Sequence, residues 1–295
     1  MKNKKMFDVN PKIKIGPGLL TEIYTDLAKP TAQNAGKTFG GLTKLFAVAF
    51  GTTSEILANK LEEKLQSFVL EAEKRIEEIP VDQRTEPSIA TGMKLSSNLP
   101  KVLGEPLLED IFLNLLLSTM DKRAAEEYFP SFPEIVASLS PDEAKILKFL
   151  GSHQENSVFA MLSIYSRLPN GSQTLAYRNV SMLGQDADCE FPKNSPAYLD
   201  NLSRLGLVDL NEEMVVGVES EYSRIMKKFV LVNLSDDNPG PEGYDPKHFD
   251  LIKGFIRLSS MGVSFCRACK IFGATGKDSP SVASTIAYKP LVLRG

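Results

Sequence analysis

Apolar side chains recur at three- and four-residue intervals over much of this chain, and the breaks in that pattern fall at proline and glycine. Residues 1–18 mix charge with Pro11 and Pro17 and read as a flexible leader. From Leu19, the positions Leu20, Ile23, Tyr24 and Leu27 predict a helix that Pro30 stops. A long periodic segment follows from Thr31 to Glu78, with Leu42, Leu45, Phe46, Phe50, Leu57, Leu61, Leu65, Phe68 and Ile76 on one broad face. Its second half, from Asn59, is a charged amphipathic helix ended by Pro80. Its first half carries Gly36, Gly40, Gly41 and Gly51, each costing about 0.5–1 kcal/mol against alanine inside a helix. Residues 80–104, with Pro80, Pro87 and Pro100, predict a linker or short broken helices. Between Pro106 and Tyr128 apolar positions surround the whole helix, which marks a central core element. Phe129-Pro130-Ser131-Phe132-Pro133 then turns the chain into a short helix ending at Leu139.

The second half begins with a strong helix start. In Ser140-Pro141-Asp142-Glu143 the serine caps, the proline suits the first helical position and Glu143 completes a capping box. Ser195-Pro196 opens another helix to Leu205, where Gly206 fits the left-handed position and Leu207 contacts Leu202 in a Schellman end. Strands are predicted at Leu207–Leu210, Lys228–Leu234 and His248–Leu258, with Asp236-Asp237-Asn238-Pro239-Gly240 as the turn between the last two. Met261 to Phe272 is a last helix, and residues 273–295 read as a flexible Gly/Ser/Thr/Pro-rich tail. The expected fold is mainly α: a helical domain over 19–136, then a winged-helix-like α+β domain over 137–272.

Composition and charge narrow the function classes. A net charge of −3 argues against bulk attraction to nucleic acid or to an anionic membrane. The longest weakly charged stretch, between Lys44 and Glu55, is ten residues, half of what a spanning helix needs. With no signal-peptide pattern and three cysteines, which make no disulfide framework, the chain reads as cytoplasmic.

Candidate chemistry is sparse. Cys266 and Cys269 form a C-x-x-C pair, but a tetrahedral zinc site would need Cys189, His153 or His248 as well, and three-residue spacing also places core cysteines on one helix face. Gly36-Lys37-Thr38 resembles the end of a P-loop, yet Thr31 stands where its first glycine is needed. No cofactor is expected, and a non-enzymatic role is preferred. Arg178, Arg204, Lys227 and Lys228 form a thin candidate nucleic-acid face, too few cations for strong phosphate contact. A protein partner or self-association suits the winged module better. Phe39, Leu42, Phe46 and Phe50 make a candidate membrane or partner face on the glycine-rich segment Gly36–Leu57. At about 0.8 kcal/mol per buried methylene, four such anchors support reversible peripheral membrane contact on activation.

Several separated motifs together resemble the abortive-infection alpha (Abi-alpha) family of bacteria. They are Leu113 to Lys122, Phe129-Pro130-Ser131-Phe132, Leu139-Ser140-Pro141-Asp142-Glu143-Ala144, Tyr198 to Leu207, and Leu258 to Gly262 before Phe265-Cys266. The chain departs from the family pattern at Phe129, where histidine is preferred, and at Ser259-Ser260-Met261-Gly262. The resemblance implies a role in anti-phage defence, in which an infected cell stops growing, and it transfers no catalytic residue. The expected function is a non-enzymatic effector or sensor acting by protein contacts and by membrane disturbance. A winged-helix DNA-binding regulator and a hydrolase or nuclease built from scattered acids stay open beside it.

Overall fold

The computed structural model describes residues 55–167, 172–213, 218–233 and 249–272. The leader, the tail, His248, the turn at 236–240 and the candidate face of Phe39, Leu42, Phe46 and Phe50 lie outside the described residues.

Helix α1 (Glu55–Ile76) buries Leu65, Phe68, Val69, Ala72 and Ile76, a stripe at helical spacing. The broken region after it holds α2 (Ile89–Asn98), capped by Ser88, whose Oγ accepts the Thr91 amide. Helix α3 (Pro106–Ser118) starts with proline in its first turn and is buried from Ile111 to Ser118, as its all-round apolar pattern requires. Within it the buried Asn114 accepts from Arg75 Nη1 at 3.2 Å, and the same nitrogen donates to Asp110 at 2.7 Å, joining α1 to α3. The Phe129 corner leads into α4 (Phe132–Val136). Phe132 is fully buried there against Phe265, edge to face at 5.1 Å. Helix α5 (Pro141–Gly151) carries the complete capping box: the Glu143 amide donates to Ser140 Oγ, and the Ser140 amide donates to the Glu143 carboxylate.

Beyond α5 the chain forms a four-stranded antiparallel sheet in the order β2-β1-β4-β3. Its members are β1 (Phe159–Arg167), β2 (Gln173–Val180), β3 (Val208–Asn211) and β4 (Phe249–Leu258). Between β2 and β3 come a single turn, α6 (Leu183–Asp186), and α7 (Ser195–Arg204). Helix α7 closes as expected: Gly206 sits at φ +75°, the Leu207 amide bonds the Leu202 carbonyl, and the Gly206 amide bonds the Ser203 carbonyl. Helix α8 (Glu219–Asn233) separates β3 from β4, and α9 (Ser260–Ala268) ends the described chain, capped by Ser259.

The strand expected at Lys228–Leu234 is corrected: residues 228–233 are the second half of α8. Tyr222, Ile225 and Phe229 are buried at helical spacing, so a period that starts upstream overrides the β-preference of Phe229-Val230-Leu231-Val232. The hairpin β1–β2 lies where no strand was expected.

The sheet has two covered faces. Phe159, Met161, Ile256 and Leu258 pack on the main helical core, which runs from Leu65 to Cys269 without a break at residue 136. Val158, Ala160, Leu162 and Phe255 point the other way, into a smaller cluster with Val218, Tyr222 and Ile225 of the α8 region. The Tyr222 hydroxyl donates to the Gly254 carbonyl at 2.9 Å, fastening α8 to β4.

Candidate functional site

Two clefts open beside α8, where the helix leans over the sheet toward α5 on one side and α7 on the other. The first, about 230 Å³, is lined by Phe149, His153, Phe159, Asp186, Glu221 and Arg224, among others. His153 Nδ1 lies 2.8 Å from the Phe149 carbonyl, so this nitrogen carries the hydrogen, and the ring packs against Phe149 and Phe159 at 4.7 and 5.1 Å. Arg224 binds both oxygens of Asp186 and reaches Glu221 at 3.2 Å. The Asp186 hydrogen bond is the main reason its guanidinium is held above its ordinary pKa. The second cleft, about 460 Å³, lies between β2, the turn before α7 and the outer flank of α8. Tyr177 and Phe229 meet edge to face at 4.8 Å in its wall, and Lys193, Ser195 and Lys228 line it.

The most elaborate polar arrangement lies below these clefts, at the start of α5. Asp142, 4% exposed, accepts the Glu190 amide at 2.8 Å, the Phe191 amide at 2.9 Å, the Tyr198 hydroxyl at 3.1 Å and Lys145 at 3.2 Å. Burial would raise its pKa, but the Phe191 and Glu190 amides, with Lys145 and Tyr198, outweigh that and hold the carboxyl below the usual range. Glu143, already half of the capping box, accepts Asn201 Nδ2 at 2.7 Å. Together the two acids latch α5 to the 189–194 turn and to α7. Each is satisfied by structural donors.

The three cysteines are free and buried. Burial pushes the Cys266 thiol up to about 12 and Cys269 well above its ordinary value, and burial with nearby Asp142 pushes Cys189 to about 11. Thiols so shifted are not thiolate nucleophiles at neutral pH. Of the candidate cations, Arg178 is exposed on β2, and Arg204 ends α7 with its guanidinium on Asn201 Oδ1. Lys227 and Lys228 are exposed on α8, and Lys228 alone of the four lines a described cleft. Lys193, Ser195, Tyr177 and Phe229 carried no site signal in the sequence, because three separate segments bring them together.

A sequence model of the family described as Abortive infection alpha matches residues 60–269. This chain belongs to that family. Its Abi-alpha motifs are neighbours in space: Phe132 of the corner meets Phe265 of the closing block, and Asp142 and Glu143 hold Tyr198 and Asn201. Ser259 donates to the Gly206 carbonyl, and its own amide bonds the Leu207 carbonyl. The motifs by which this Abi-alpha chain is recognised therefore form its framework, while the clefts beside α8 are built from other residues. Among curated proteins no match is found. A solved structure described as an uncharacterized protein from the hydrocarbon-degrading marine bacterium Alcanivorax borkumensis SK2 is similar at 18% identity, covering 50% of this chain and 96% of its own, with a TM-score of 0.31. Among the described residues no helix is long and apolar enough to cross a membrane.

Proposed function

We propose that this protein is a cytoplasmic sensor or effector of anti-phage abortive infection that acts through contacts and catalyses no reaction. The observation that carries the reading is the family match over residues 60–269, with its motifs meeting in one framework. Two further features support it. The buried acids that would suit general acid–base chemistry are taken up by the α5 latch, and the clefts beside α8 suit recognition of a ligand or partner. The glycine-rich segment Gly36–Leu57 is the part proposed to disturb a membrane or engage a partner, with Phe39, Leu42, Phe46 and Phe50 as its contacts.

The test is expression of the full chain in a phage-sensitive bacterium, reading plaque formation and membrane potential together. Plaque numbers are expected to fall at least about tenfold, with infected cells depolarising, and Phe46→Asp with Phe50→Asp is expected to abolish both. Unchanged plaque numbers overturn the defence role, and protection without depolarisation overturns the membrane route. A winged-helix regulator bound to DNA is the weaker alternative, because Arg178, Arg204, Lys227 and Lys228 are a sparse phosphate footprint. A salt-sensitive mobility shift at micromolar protein would revive it.

A further inference from the structure

The two clefts beside α8 differ in their electrostatics, and the difference points to a ligand. In the first, Arg224 is committed to Asp186 and Glu221, so its charge is already balanced. In the second, Lys193 and Lys228 are the charged residues of the lining, and no carboxylate lines it. Neither lysine forms an ion pair among the described residues. Two like charges held around one concave surface, with nothing of opposite sign in its wall, raise the local positive potential.

A second and independent feature lies in the lining of this cleft. Ser195 is 2% exposed, and its Oγ has no hydrogen-bond partner among the described residues. Buried hydroxyls normally find a partner, and one without it is a position where a missing group belongs. Ser195 also opens α7, a ten-residue helix without a side-chain cap, whose N-terminal dipole adds to the positive potential of the lysines. The rest of the wall is mostly apolar, with the neutral polar residues Ser181 and Gln185 among it: Tyr177, Phe229, Met182, Ile225 and Pro192 offer ring and methyl surface. The volume of about 460 Å³ falls within the range of small-molecule sites.

We propose that this cleft binds a small amphipathic anion: a phosphate or carboxylate head between Lys193 and Lys228, hydrogen-bonded by Ser195 Oγ, on an apolar body lying against Tyr177 and Phe229. The proposal supplies the ligand class for the sensor reading and rests on that reading for its biological sense, while binding itself is measured separately.

Isothermal titration of the purified full chain with adenosine monophosphate, octanoate, adenosine and inorganic phosphate tests it. Adenosine monophosphate or octanoate is expected to bind with Kd of about 1 mM or tighter, and adenosine and phosphate alone at least about tenfold more weakly. Which anion binds separates a phosphate head from a carboxylate. The pair Lys193→Met and Lys228→Met, and Ser195→Ala alone, are each expected to weaken binding about tenfold without lowering Tm. Ser195→Ala holds or raises Tm, since it removes a hydroxyl that the folded protein leaves without a partner. Absence of binding by both organic anions at about 10 mM overturns the proposal. So does phosphate binding as tightly as either organic anion, affinity indifferent to the substitutions, or a lowered Tm for Ser195→Ala. Anion binding without phage protection keeps the cleft and removes the defence role, and protection without anion binding does the reverse.

Discussion

Replacing Asp142 with alanine tests whether the latch at the start of α5 holds the fold together. The carboxylate accepts two backbone amides, from Glu190 and Phe191, and the Tyr198 hydroxyl, all in a site 4% exposed. Alanine leaves both amides buried without acceptors, and each such donor costs about 1–3 kcal/mol. With the weaker Tyr198 bond added, the expected loss is about 3–5 kcal/mol, a large share of the 5–15 kcal/mol typical of a folded domain. Asp142→Asn keeps the shape but sets an NH₂ group against one of the amides, so its loss is about half as large. Lys145→Ala is the control: its ammonium is partly solvated in the folded protein, and the unfolding midpoint should hardly move.

The sign of the pH dependence follows from the same geometry. The folded pKa of Asp142 lies below its unfolded value of about 3.9, so its contribution is present above that pH and is lost as pH falls through the folded pKa. Urea unfolding followed by circular dichroism, at pH 7 and at steps down to about pH 3, reads both effects. The wild type should lose stability on acidification faster than Asp142→Ala does. An alanine variant within about 1 kcal/mol of wild type at pH 7, or one with an equally steep acid limb, refutes the latch.

Two backbone positions give further tests. A Cβ on Gly262 would come within 2.0 Å of the Leu207 carbonyl oxygen, which cannot move aside, so Gly262→Ala is expected to cost about 3 kcal/mol in urea unfolding. Lys270 sits at φ +51° after α9, with the Ile271 amide bonded to the Cys266 carbonyl, so Lys270→Gly should raise stability by about 0.5–1 kcal/mol in thermal unfolding.

What the sequence made legible was what obeys local rules. The Ser140–Glu143 box and the Gly206 helix end form as their spacing demands, since both are closed by residues within six positions of one another. The buried helix α3 was equally plain, because a helix covered on every side needs no periodicity to declare itself, although it ends at Ser118 and not at the expected Tyr128. Strand β1 was missed for the mirror reason. Val158 to Ile164 is buried against α8 on one face and the core on the other, which erases the alternation that marks a half-exposed strand. The Asn170-Gly171 pair that follows it is a hairpin signal of its own. The run Lys228–Leu234 is β-like by itself, and only the longer period that includes the upstream Tyr222 and Ile225 marks it as helix. The second cleft had no signature as a site: Lys228 was read only as one cation of a thin nucleic-acid face and Ser195 only as a helix start, and they acquire this meaning when Lys193, Ser195 and Lys228 meet.

The separation of the α8 cluster from the main core has a dynamic consequence. Helix α8 is held by a cluster of seven buried residues, the Tyr222 hydroxyl, the Arg224–Asp186 pair and the Tyr177–Phe229 contact, none of which belongs to the main core. It is therefore expected to lift from the sheet while the framework of α3, α5 and α9 stays folded. Its amides then exchange hydrogen through a local opening that requires less free energy than global unfolding. A molecule held between Lys228 on α8 and Lys193 on the other wall would resist that opening and leave the framework untouched. In that arrangement occupancy is written in how often one helix departs, and a partner that recognises the vacated sheet face would read the ligand through its absence.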